Sequence, residues 1–119
     1  MKRLAILGAS GHGKVVAEIA LSSGWESVDF YDDAFPAKTS LDDFRIKGDL
    51  GNLICRSDSY SGFHVAIGDN NTRLNVLGKL IGLNLSCPNI IATSSVVSST
   101  AILGSGISIM PNVVVNAKT

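Results

Sequence analysis

Along the first third of the chain the apolar residues change period. Leu4, Ala5, Ile6 and Leu7 form an unbroken apolar run, the pattern of a strand buried on both faces. Gly8 to Gly13 holds Gly8, Gly11 and Gly13 and reads as a turn. From Lys14 the period becomes helical. Val15 and Ile19, then Val16 and Ala20, recur at i and i+4, and the segment ends near Gly24. Val28, Phe30 and Tyr31 predict a second strand, closed by Asp32-Asp33. Strand, turn, helix and strand within about thirty residues open a parallel sheet.

The middle is less periodic. Ala34 to Lys47 is polar, contains Pro36 and reads as a loop. Asp49 to Cys55 fits a short helix, and Phe63 to Ile67 predicts a third strand ending at Gly68. Asp69 or Asn70 is placed to cap a helix from about Asn71 to Ile81, with Leu74, Leu77, Leu80 and Ile81 on its apolar side. Leu83 to Leu85 and Asn89 to Ile91 fit short strands.

The last segment follows another rule. Ile91, Val97, Leu103, Ile109 and Val115 are spaced by six, and Ser95, Ala101, Ile107 and Val113 form a second, offset series. Neither the 3.6-residue helix period nor strand alternation produces this. A hexapeptide repeat does: each six residues form one face of a triangular coil, with the branched aliphatic pointing inward. Three such faces make an 18-residue coil, so the segment holds about one and a half. The pattern reaches Lys118-Thr119 uncapped, which leads us to expect a piece of a longer protein. The fold expected is therefore α/β: a small Rossmann-like parallel-sheet domain over residues 1–88, followed over 89–119 by the start of a left-handed parallel β-helix.

Charge narrows the partners. Lys+Arg and Asp+Glu balance at 10 each, so no basic excess argues for nucleic acid or an anionic membrane. The apolar run after Met1-Lys2-Arg3 stops at Gly8, too short for a signal peptide, and nothing reaches membrane-spanning length. Cys55 and Cys87 share no metal-ligand spacing with each other or with His12 and His64. We expect buried or half-buried free thiols, and a cytoplasmic protein.

Three loops carry candidate chemistry. Gly8-x-x-Gly11-x-Gly13 follows a strand and opens a helix, where a phosphate loop belongs. Gly8 permits the tight turn, Gly11 admits a ligand close to the backbone, and the helix N-terminus offers free N–H groups. The dinucleotide fingerprint is spaced differently, as G-x-G-x-x-G, so a tight turn without a ligand stays open. His12, at the helix start, can donate to a phosphate oxygen and is not assigned as a catalytic base. Asp32 and Asp33 end the second strand, where a carboxylate accepts from ribose hydroxyls or a base N–H; a solvated turn is the alternative. Gly68 and Asn70 follow the third strand. Ligands of open parallel sheets bind where such loops converge. His64, inside the third strand, reads as structural, and Arg73 as a surface ion pair. No nucleophile triad, carboxylate pair or metal cluster emerges from the spacing, so no catalytic residue is assigned.

The stretches "GASGHGKVVAEIA", "YDD", "AIGDNNTR" and "SIMPNVVVNAK", in that order, resemble the sugar acyltransferases of the sialic acid O-acetyltransferase family. That family includes N-acetyltransferases acting on UDP-linked 4-amino sugars. The resemblance covers essentially the whole chain. It implies an acetyl-CoA-dependent sugar acetyltransferase of surface glycan biosynthesis, a homotrimer when full length. Its N-terminal domain would bind the nucleotide-linked amino sugar, or sialic acid, and its β-helix would hold acetyl-CoA between subunits. By the same resemblance Ser10, Gly11 and His12 match the glycine-turn contacts, Asp32 and Asp33 the carboxylates that hold uridine, and Gly68 a backbone contact. The catalytic histidine of the family falls beyond Thr119, so these 119 residues are expected to bind without catalysing. Two other classes remain: an NAD- or CoA-binding Rossmann-type domain of another enzyme, and a non-catalytic oligomerisation module.

Overall fold

The computed structural model describes residues 2–91 and the short strands at 96–97, 108–109 and 114–115. Strand β1 (Arg3–Leu7) is the apolar run, and from Leu4 onward every residue of it is buried. Ser10 caps helix α1 (Gly11–Ser22): its Oγ accepts from the Gly13 N–H at 3.2 Å. The helix thus begins three residues earlier than expected, and the glycine turn shortens to Gly8-Ala9-Ser10. Val16, Ala17, Ile19 and Ala20 form its buried face, while Val15 is exposed.

Strand β2 (Ser27–Tyr31) returns parallel to β1, in register Leu4 to Val28 and Leu7 to Tyr31. The stretch expected as loop instead holds a hairpin, β3 (Ser40–Leu41) against β4 (Phe44–Arg45), antiparallel. Its strands are two residues each, too short for any period to reveal. Ile46 continues β4 into a parallel bridge with Phe30 and so extends the sheet beyond β2.

Helix α2 (Leu50–Cys55) opens with a capping box between Asp49 and Asn52. Strand β5 (Gly62–Val65) pairs parallel on the other side of β1, giving the order β2-β1-β5. Helix α3 (Asn70–Gly82) is capped by Asp69, not Asn70. Of its expected apolar side only Leu80 is buried, with Val76 and Leu77 packed beside it; Leu74 and Ile81 are exposed. Leu83–Leu85 is not a strand: Asn84 takes a left-handed φ of 62° as the chain turns.

The sheet is covered on both faces, so its strands are apolar throughout. Leu4, Ile6 and Phe30 pack against α1. Ala5, Leu7, Tyr31, Phe63 and Val65 pack against Leu53 of α2 and Leu80 of α3. Beyond it, β6 (Ile90–Ile91) pairs parallel with β8 (Ser108–Ile109), and β7 (Val96–Val97) with β9 (Val114–Val115). The partners, Ile91 with Ile109 and Val97 with Val115, lie three hexads apart. Ser95, Ala101, Leu103, Ile107 and Val113 of the repeat lie outside the described residues.

Candidate functional site

The chain leaves β1 for β2 on one side and returns to β5 on the other. The crevice at the carboxyl end of β1 is therefore a topological switch point. Three turns meet there. Strand pairing draws them together: the Gly8 N–H donates to Tyr31 O and the Ala66 N–H to Leu7 O, both at 2.8 Å.

The first turn is shaped by its glycines. Gly8 has φ +116°, and a Cβ there would collide with the Ala66 carbonyl. A Cβ on Gly13 would run into Gly8 O and the Phe30 ring, so Gly13 is what lets α1 approach the strand ends. Gly11 differs: a Cβ there meets nothing within 4 Å. No acceptor for the Gly11 or His12 N–H occurs among the described residues, as expected of a first helical turn.

The second turn splits the Asp pair. Asp32 holds the backbone: its Oδ2 accepts from the Ala9 N–H at 2.9 Å and its Oδ1 from the Ala34 N–H at 2.8 Å. Asp33 is exposed and accepts from the Leu50 N–H at 3.2 Å through Oδ1 alone. In the third turn Asp69 accepts from the Thr72 N–H and hydroxyl. These bonds hold its carboxyl below the usual range. Gly68 is exposed, with open space where a Cβ would stand.

Leu7, Gly8, Ser10, Asp32, Asp33, Ala66, Ile67 and Gly68 enclose a cleft of about 290 Å³. Five residues singled out in the sequence, Gly8, Ser10, Asp32, Asp33 and Gly68, thus share one cavity. Gly11 and His12 are exposed on the first turn of α1 beside it, and Asn70 is an exposed first residue of α3; none of the three lines it. Leu7, Ala66 and Ile67 form an apolar floor that was read only as strand. Lys38 was missed too: its Nζ donates to Ala9 O at 2.6 Å and ties the Ala34–Thr39 loop to the glycine turn. No spacing marks such a lysine.

His64 is buried, its Nδ1 has no hydrogen-bond partner among the described residues, and burial with the nearby His12 pushes its pKa down to about 4. Arg73 forms no ion pair among the described residues, contrary to expectation. Cys55 and Cys87 are free thiols; Cys87 is buried, which raises its pKa, whereas Cys55 is exposed.

A family model described as the PglD N-terminal domain matches residues 3–80. Among solved structures, the acetyltransferase domain of PglB from Neisseria gonorrhoeae, in complex with acetyl coenzyme A, is 34% identical with a TM-score of 0.88. The match covers 98% of this chain and 56% of that one. PerB from Caulobacter crescentus, in complex with CoA and GDP-perosamine, is 32% identical at a TM-score of 0.84, covering 98% of this chain and 55% of that one. A variant of perosamine N-acetyltransferase from the same organism, with the same two molecules, is 34% identical at 0.85, with 98% and 55% covered. The chain spans a little over half the length of these relatives.

Proposed function

This chain belongs to the PglD N-terminal domain family, and on that premise we propose that it is the nucleotide-sugar-binding portion of an acetyl-CoA-dependent sugar acetyltransferase. One observation carries the reading. The cleft at the switch point has around it an unencumbered Gly11, N–H groups with no acceptor among the described residues and an exposed Asp33, which is what an anionic diphosphate and a hydrogen-bonding nucleoside need. Solved relatives that hold CoA together with GDP-perosamine support the substrate class, a nucleotide-linked amino sugar.

In this reading the Gly11 and His12 N–H groups and the Ser10 side receive the diphosphate. Asp33 accepts from the base or ribose, and Gly68 leaves room for the ligand. Asp32 is a positioning residue, because both its oxygens already hold the turn. Residues 1–88 form the binding domain, and 89–119 begin a left-handed β-helix. The parallel pairing of residues three hexads apart supports that helix.

In the whole protein, a homotrimer, the sugar amine attacks the thioester carbonyl carbon of acetyl-CoA. The C–S bond breaks and CoA leaves as its thiol. A histidine beyond Thr119 takes the amine proton. Solved variants of the Caulobacter enzyme that replace one histidine by asparagine or alanine fit that assignment. Residues 1–119 bind without transferring.

Calorimetric titration with UDP, GDP, CMP, NAD and CoA tests this. We expect UDP or GDP to bind, Asp33→Ala to weaken binding about tenfold or more, and Asp32→Ala to lower stability as well. Binding of NAD or CoA alone, or an Asp33→Ala variant that binds as tightly as the parent, overturns the reading. So does acetyl transfer by residues 1–119.

A further inference from the structure

A second groove, of about 490 Å³, is lined by Phe35, Thr39, Arg45, Ile46, Lys47 and Arg56. It shares no lining residue with the first cleft, and its Phe35 follows Asp33 of that cleft by two residues in the chain. Three of its six lining residues are cations and none is acidic, in a chain whose formal net charge is zero. We propose that this groove is a separate binding site for a small phosphate-bearing anion.

The cations are gathered by the fold. Ile46 turns inward onto the sheet, 2% exposed, through its bridge to Phe30. Its neighbours Arg45 and Lys47, two residues apart on extended backbone, therefore both face outward and are exposed. Arg56 joins them from the end of α2, where its Nη1 donates to Lys47 O at 3.0 Å. That bond fixes the guanidinium without cancelling its charge.

Little else neutralises the group. Arg45 makes no side-chain hydrogen bond or ion pair among the described residues. Lys47 lies 3.6 Å from Asp29 Oδ2, but the same oxygen is 3.2 Å from Arg3 and accepts from the Tyr60 hydroxyl at 2.8 Å. One carboxylate is thus shared by two cations. Two guanidinium forks and an ammonium around one groove suit the several oxygens of a phosphate or diphosphate better than a single carboxylate. Phe35 and Ile46 add an apolar wall and Thr39 a hydroxyl, as a phosphate ester with an organic part would use. The groove's size falls in the range of small-molecule sites.

Inorganic pyrophosphate is the probe, titrated into the 119-residue chain and followed by amide NMR shifts. We expect saturable shifts at Arg45, Ile46, Lys47 and Arg56. Arg45→Gln should fold normally, because that exposed side chain makes no hydrogen bond or ion pair among the described residues, and should weaken binding about tenfold. Shifts confined to Gly8–Gly13, unchanged affinity in Arg45→Gln, or no saturation by about 10 mM would each overturn the proposal. Its failure is distinct from failure of the nucleotide-sugar reading, which rests on Asp33 and Gly11.

Discussion

The cleft lined by Asp32 and Asp33 and the groove lined by Phe35 are built from opposite materials. The first is made of backbone: glycines, strand ends, a helix N-terminus and a pair of aspartates, with no cation in its lining among the described residues. The second is made of side chains, with Arg45, Lys47 and Arg56 on short, irregular segments. The difference bears on where negative charge is welcome. In the first cleft a phosphate must be held by N–H groups at the start of α1, because the lining side chains that carry charge are Asp32 and Asp33. These carboxylates instead suit the donors of a base or sugar. In the second the side chains do the work, and little backbone geometry constrains them.

If the first cleft is backbone-built, glycine replacement there should damage the protein more than any charge change in the second. Gly13→Ala places a Cβ against Gly8 O and Phe30. We expect a loss of roughly 3 kcal/mol in chemical denaturation. A near-neutral result would show that α1 can shift away from the strands, and the cleft would then be more plastic than its packing implies.

The next contrast is in pH. His64 stands under the first region, in β5, with its pKa lowered from 6.5 to about 4 by burial and then by the nearby His12. The unfolded chain takes up this proton near pH 6.5, whereas the folded chain resists until about pH 4. Stability from this group is therefore intact above pH 6.5 and falls as the pH drops from 6.5 to about 4, by roughly 3 kcal/mol in total. His64→Val should flatten that part of the curve. A urea midpoint that stays level from pH 6.5 to 4 in the parent protein would contradict the burial of a neutral imidazole.

The same division explains what could be read in advance. Backbone constraint restricts residue type, and restricted types leave a pattern. Gly8, Asp32-Asp33 and Gly68 were legible as turn residues because a parallel sheet places its strand-end turns together, and those turns favour small and capping residues; Ser10 entered only through the family resemblance. The apolar run of β1 was legible because a strand buried on both faces is apolar throughout, and the cap of α3 was narrowed to Asp69 or Asn70, of which Asp69 is the one that caps. The β3–β4 hairpin was not: each strand has two residues, and its position depends on Ile46 finding Phe30 across the sheet. The groove it helps to form was invisible with it. Arg45, Lys47 and Arg56 have no shared spacing, and only tertiary contact brings Arg56 to Lys47. The face of α3 was legible in part: Leu80 is buried and Leu77 packs beside it as expected, but Leu74 and Ile81 are exposed, and Val76 joins the packed face in their place. The split between Asp32 and Asp33 was likewise closed to a sequence reading, since adjacent identical residues differ only in what their oxygens meet.

The smallest expected change in stability is the most informative about ligand. Gly11 occupies the first position of α1, with open space around its missing Cβ and no left-handed φ. Packing therefore gives no reason for glycine, and helix propensity favours alanine at such a site by up to about 1 kcal/mol. Gly11→Ala should melt at the same temperature as the parent or slightly higher. If a diphosphate lies against this turn, the new methyl group stands where ligand oxygens approach the N–H groups, and nucleotide affinity should fall about tenfold. Gly13→Ala, two residues on, should do the reverse and cost stability through its clash with Gly8 O and Phe30. Were Gly11→Ala to bind nucleotide as tightly as the parent, the diphosphate would not sit on the helix N-terminus. The cation groove lined by Arg45, Lys47 and Arg56 would then be the place to look for it.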